Sequence, residues 1–179
     1  MMKKLTLLLM AMVFAGMAKA EDGHQLWLRY QPVNKAKVSG PECLAAEELR
    51  HYYAGEKATL VIDPTIANDE GYRISGNTIS AKTEIGLLYG AYALLRAQTG
   101  GFVIRQNVVE APYYKLRILN HWDNLDSSIE RGYAGLSIFW ALEDPQTRRN
   151  SDLWRPKPIN AELIREYARA NASIGINGT

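Results

Sequence analysis

The sequence predicts an α/β sandwich, a small sheet with helices packed on it, over residues 21–112. Three observations predict it. Short strand-like runs alternate with helical stripes, Gly76-Asn77 joins two of those runs as a tight hairpin, and the clearest helical stripe on the chain follows directly.

Residues 25–33 (QLWLRYQPV) read as the first strand, with Leu26, Leu28 and Tyr30 alternating against Trp27 and Arg29. Residues 34–40 read as a polar loop. Ser39 and Glu42 have capping-box spacing, and Pro41 suits a first helical turn. Leu44, Ala45, Leu49, Tyr52 and Tyr53 form the stripe of that helix, which should end at Gly55. Cys43 falls inside it as a small apolar side chain; as the only cysteine it excludes an intrachain disulfide. Residues 58–62 (ATLVI) suit a buried strand, broken by Asp63-Pro64.

The hairpin pairs residues 72–75 with 78–81. Thr83 starts the next helix, with Ile85, Leu88, Tyr92 and Leu95 in one stripe and Gly100 just past its end. Gly86 and Gly90 stand one turn apart, each at a cost of up to about 1 kcal/mol relative to alanine. Close packing of the helix on a sheet accounts for them better than a ligand role does. Residues 102–109 read as a last strand, and the unit closes near Ala111-Pro112.

Ahead of this unit, residues 1–20 have the pattern of a cleavable secretory signal. Met1-Met2-Lys3-Lys4 is a basic start, residues 5–17 are almost wholly apolar, and Ala18-Lys19-Ala20 is an A-x-A cleavage site before Glu21. The apolar run is too short for a bilayer core, which takes ~20 residues. The expected location is periplasmic or secreted, with no membrane attachment after cleavage. The full chain has 21 basic and 19 acidic residues; losing Lys3, Lys4 and Lys19 leaves 18 against 19. A near-neutral chain gives no reason to expect nucleic acid as a partner.

After residue 112 the pattern changes. Residues 115–119 (KLRIL) look like a strand and 136–142 (LSIFWAL) like an apolar run, with a Pro-, Arg- and Asp-rich loop over 144–158. Asn160 can cap a helix with Leu163, Ile164, Tyr167 and Ala168 on its stripe, ended by Gly175; residues 176–179 read as the start of another strand. Between these lies the most unusual run on the chain, Asn120-His121-Trp122-Asp123-Asn124-Leu125-Asp126. Polar groups on a loop at a strand end are where sites form. Trp122 offers a flat apolar face for a sugar, and Asp and Asn can bond hydroxyls. The alternative is a structural turn, with Asp and Asn capping backbone and Trp122 filling an interface. His121, Asp123 and Asp126 fit no zinc spacing, so no metal is expected. Asp126 with Glu130 could serve glycoside chemistry or could be a solvated helix face. No serine elbow, phosphate loop or dinucleotide fingerprint is present, and no cofactor is expected.

Residues 119–135 (LNHWDNLDSSIERGYAG), 137–140 (SIFW), 167–178 (YARANASIGING) and 86–100 (GLLYGAYALLRAQTG) closely resemble the microbial α-glucuronidases of glycoside hydrolase family 67. The resemblance implies an α/β domain over 21–112, then the incomplete start of a (β/α)8 barrel over 113–179. From Tyr114 the sequence has 66 residues, against ~250 for a barrel. It implies hydrolysis, with inversion, of (4-O-methyl)glucuronic acid side groups on xylo-oligosaccharides. Glucuronoxylan-derived oligosaccharides and a homodimer of the full-length form are the implied partners. The family's catalytic carboxylates come from later barrel strands, so no catalytic residue is carried over and the fragment itself should be inactive. Trp122 matches a tryptophan of the uronic-acid pocket. Asp123, Asn124 and Arg131 match as pocket supports or domain-interface groups, and Asn120 and His121 more distantly. Two other readings stay open: a stand-alone carbohydrate-binding module using Trp27, Trp122, Trp140 and Trp154, and an inert truncated product. Without a complete barrel, Leu116, Ile118, Ile138, Phe139 and Ile174 should lack cover.

Overall fold

The computed structural model describes residues 30–101, 107–124, 137, 139 and 161–179. The signal segment, residues 25–29 and 102–106 of two expected strands, the 144–158 loop, Asn160, Ile138 and Arg131 lie outside the described residues.

A five-stranded mixed sheet carries two helices. The strands are β1 (Lys37–Ser39), β2 (Lys57–Ile62), β3 (Tyr72–Ser75), β4 (Thr78–Ala81) and β5 (Val108–Glu110), in the order β1-β2-β4-β3-β5. β1, β2 and β4 run parallel; β3 is antiparallel to β4 and to β5. The expected α/β class is therefore what the chain adopts. Helix α1 (Leu44–Tyr52) crosses from β1 to β2, and α2 (Glu84–Thr99) follows β4. Their apolar faces meet each other and one face of the sheet: Ala45, Ala46 and Leu49 with Leu60, Ile74, Ile79, Leu87, Tyr92 and Leu95 form one buried core.

Several local details differ from expectation, each for a physical reason. Residues 30–33 do not form a strand. The N–H groups of Val33 and Asn34 both donate to the His51 carbonyl, at 2.7 and 3.1 Å, satisfying an end of α1 instead of a ladder. β1 arises in what reads as loop, because a three-residue edge strand with one half-buried valine, Val38, has no alternation to detect. Ser39 is consequently in β1, its hydroxyl donating to Thr59 Oγ1 at 3.3 Å, and does not cap α1. Cys43 is the N-cap, with extended backbone, no side-chain cap bond and a half-buried side chain. Glu42 instead pairs with Arg50. β2 alternates: Ala58 and Leu60 are buried, while Val61 and Ile62 are exposed.

The hairpin and α2 match their expected bounds. Gly76 takes φ +61° in the two-residue turn. Thr83 caps α2, its Oγ1 accepting from Gly86 N–H at 3.3 Å. A Cβ at Gly86 would fall 2.6 Å from the Gly71 carbonyl oxygen, and one at Gly90 2.5 Å from Ile79 Cγ2. The two glycines let the helix lie directly on the β3–β4 hairpin, as close packing requires.

Beyond β5, residues 111–124 form no helix or named strand. The expected strand at 115–119 reduces to one parallel bridge, Ile118 to Gly178. Helix α3 (Ala161–Ser173) comes before Gly178 and ends in a Schellman motif. Gly175, at φ +82°, donates to the Ala172 carbonyl and Ile176 to the Asn171 carbonyl, both at 3.0 Å. Leu116, Ile118 and Ile174 are exposed, as expected, with Tyr113 and Tyr114, whereas Phe139 is half-buried against His121 and Tyr167.

Candidate functional site

The loop after the bridge begins one residue beyond the last ladder bond, Leu119 N–H to the Gly178 carbonyl at 3.1 Å. Trp122 is 60% exposed. Its Nε1 donates to Asn120 Oδ1 at 2.9 Å, which fixes the ring edge and leaves the indole face available. Asn124 is exposed at the end of the described loop.

Asp123 behaves oppositely. Its side chain is only 5% exposed. Oδ2 accepts from the Ser137 hydroxyl, and that same oxygen of Ser137 accepts from Phe139 N–H at 2.9 Å. Oδ1 lies 2.9 Å from His121 Nε2. That contact is off the line of a hydrogen bond, and neither atom has another hydrogen-bond partner among the described residues. It is an electrostatic contact, an ion pair when the imidazole is protonated. The His121 ring meets Phe139 edge-on at 5.0 Å, and Phe139 meets Tyr167 of α3 edge-on at 5.2 Å. Asp123 therefore braces the loop, and Trp122 is presented by it. Trp122, Asp123 and Asn124 stand together on this loop, and Arg131 lies outside the described residues.

Two polar clasps hold this region on the α/β unit. Arg169 of α3 forms a two-pronged pair with Glu48 of α1 at 2.7 and 2.8 Å and lies 5.1 Å over the Tyr52 ring. Arg117 Nη1 meets Glu70 Oε2 at 2.9 Å, and its guanidinium sits 5.6 Å over Tyr89. The bond from Arg117 holds the Glu70 carboxyl below the usual carboxylate range, assisted by Asn177. A cleft of about 580 Å³ runs between α2, α3 and residues 176–179, with Tyr89, Phe139, Ile164 and Tyr167 on its walls. Trp122, Asp123 and Asn124 do not line it. Ser137, Tyr167, Glu70 and Arg117 escape the sequence reading because each is an ordinary residue whose role comes from a partner at least fourteen positions away.

Residues 96–179 match the glycosyl hydrolase family 67 middle domain. The probable alpha-glucuronidase A of Neosartorya fischeri is 38% identical, over 91% of this chain and 24% of its own length. That of Aspergillus terreus is 31% identical, over 99% of this chain and 25% of its own. Nearly the whole chain is thus similar to proteins of glycosyl hydrolase family 67. It spans about a quarter of the length of these relatives. The family 67 match opens inside α2 and includes β5, so matched residues supply an edge strand to the α/β sheet as well as the Trp122 loop.

Proposed function

We propose that this chain contributes the N-terminal α/β unit and a sugar-facing loop to an inverting α-glucuronidase. That enzyme removes (4-O-methyl)glucuronic acid side groups from xylo-oligosaccharides in xylan breakdown. The observation that supports it best is the pairing within one loop of the family 67 segment: an exposed indole, Trp122, beside a buried and braced carboxylate, Asp123. Carbohydrate pockets combine an apolar wall with a few fixed polar groups. Trp122 supplies the wall, Asn124 hydrogen-bonding capacity, and Arg131 a cation for the uronate.

Inversion needs two carboxyl groups ~6.5–9.5 Å apart on either side of the sugar, with room for a water between the base carboxylate and the ring. Asp123 is engaged by Ser137 and His121, so it is assigned no catalytic part. The catalytic carboxylates are placed in the further length that the relatives have, and the 179-residue chain is expected to be inactive. The signal pattern at residues 1–20 supports a periplasmic or secreted enzyme. Aldouronic acids incubated with this chain and with a form extended to the relatives' length test the reading. Release of glucuronic acid by the extended form alone supports it; inactivity of both forms rejects it.

A further inference from the structure

The α/β unit meets the segments of the Ile118–Gly178 bridge through Tyr89, which lies under Arg117, and through one carboxylate, Glu70, whose arrangement is specific. Glu70 Oε2 accepts from Arg117 Nη1 at 2.9 Å, and Oε1 accepts from Asn177 Nδ2 at 3.2 Å. Arg117 and Asn177 belong to the two segments that meet in the bridge. One side chain of the α/β unit therefore grips both.

Asn177 extends the ladder with its own side chain. Its Oδ1 accepts the Arg117 backbone N–H at 2.9 Å, and its Nδ2 donates to the Lys115 carbonyl at 2.7 Å. Its backbone N–H donates to the Arg117 carbonyl at 2.9 Å. Only one orientation of the amide serves all three side-chain partners, because Arg117 N–H must meet an oxygen while Lys115 O and Glu70 must meet the NH2. Arg117 closes the set by donating to the Tyr114 and Gly175 carbonyls at 2.6 and 2.5 Å. A single bridge is weak on its own, and a slip of one residue would turn every side chain of the following loop to the opposite face. Leu119 makes the last bridge bond, and the loop with Trp122 and Asp123 starts at the next residue.

We propose that Glu70, through Arg117 and Asn177, sets the register in which the two parallel segments meet. These three are then positioning residues for the loop that presents Trp122. In this arrangement the α/β unit is a jig for the sugar-facing loop. The inference deepens the proposed function by saying what orients that site. Its test uses no substrate, so a failed assay on aldouronic acids and a failed test here are separate results.

Hydrogen exchange of the Arg117, Leu119 and Asn177 amides is followed in the full chain, together with the 19F resonance of 5-fluorotryptophan at position 122, assigned by Trp122→Phe. Asn177→Asp keeps the shape but sets an oxygen against Lys115 O and Glu70. Glu70→Ala removes the grip. Ile79→Val, in the core away from the bridge, controls for general destabilisation. Both bridge variants are expected to exchange those three amides at least tenfold faster and to move the Trp122 resonance, while Ile79→Val leaves both unchanged. Unchanged amides and an unmoved Trp122 resonance in Asn177→Asp and Glu70→Ala overturn the proposal, as does an equal response in Ile79→Val.

Discussion

Trp122 and Gly90 show how differently two residues of one chain respond to truncation or growth. Trp122 is more than half exposed and, among the described residues, hydrogen-bonded through its indole nitrogen to Asn120 alone. Trp122→Ala is expected to change stability by less than about 0.5 kcal/mol, as exposed sites do. In the extended enzyme the same change should weaken oligosaccharide binding at least tenfold; thermal melting and calorimetry with aldouronic acids measure the two effects. Gly90 has no such latitude. The added methyl of Gly90→Ala would press on Ile79 Cγ2, and Ile79 is fully buried. Overpacking costs about 1–3 kcal/mol, against a helix-propensity gain of ~1 kcal/mol. A net loss of up to about 2 kcal/mol in urea unfolding is the expected outcome.

At the scale of elements, among the described residues α2 is the most legible in sequence and β1 the least. Helix α2 announces itself through Thr83, through its apolar stripe and through Gly100, all local signals. Thr83 does more than its pattern implies, because its hydroxyl also donates to the Asp69 carbonyl. Thr83→Ala loses the cap and that bond together, for about 1–2 kcal/mol, whereas Thr83→Ser should retain most of the stability; chemical denaturation of the two variants separates them. At the start of α1, Ser39 and Glu42 fit a capping box by spacing, but both side chains are bound elsewhere, to Thr59 and to Arg50. The site shows the same division. The composition of residues 120–124 marks the loop in sequence. Its internal assignment, Asp123 turned inward and Trp122 outward, depends on Ser137, Phe139 and Tyr167, which no local pattern connects to it.

Over the whole molecule, residues 113–124 and α3 are joined to the α/β unit more by polar clasps than by a shared core, since Leu116, Ile118 and Ile174 stay exposed. This makes their attachment sensitive to acid. Arg117 lowers the folded-state value of Glu70 below its unfolded value of about 4.3. A group depressed on folding adds stability that is fully present above its unfolded value and is lost as pH falls through the folded one. Attachment through Glu70 should thus hold from neutral pH down to about 4.3 and weaken progressively below it. Glu70→Gln removes the titrating group and should flatten that dependence while weakening attachment at neutral pH. Arg169 keeps its charge throughout, because its partner Glu48 raises its already high value, and Arg96 also donates to the Ser173 carbonyl at the end of α3. Hydrogen exchange measured from pH 7 to pH 3 should therefore show residues 117–119 and 176–178 losing protection as pH falls below the ordinary glutamate range, with β2 and β4 still protected. Simultaneous loss in the sheet and at the bridge would mean that the chain unfolds as one body and that the clasps are not its weakest link.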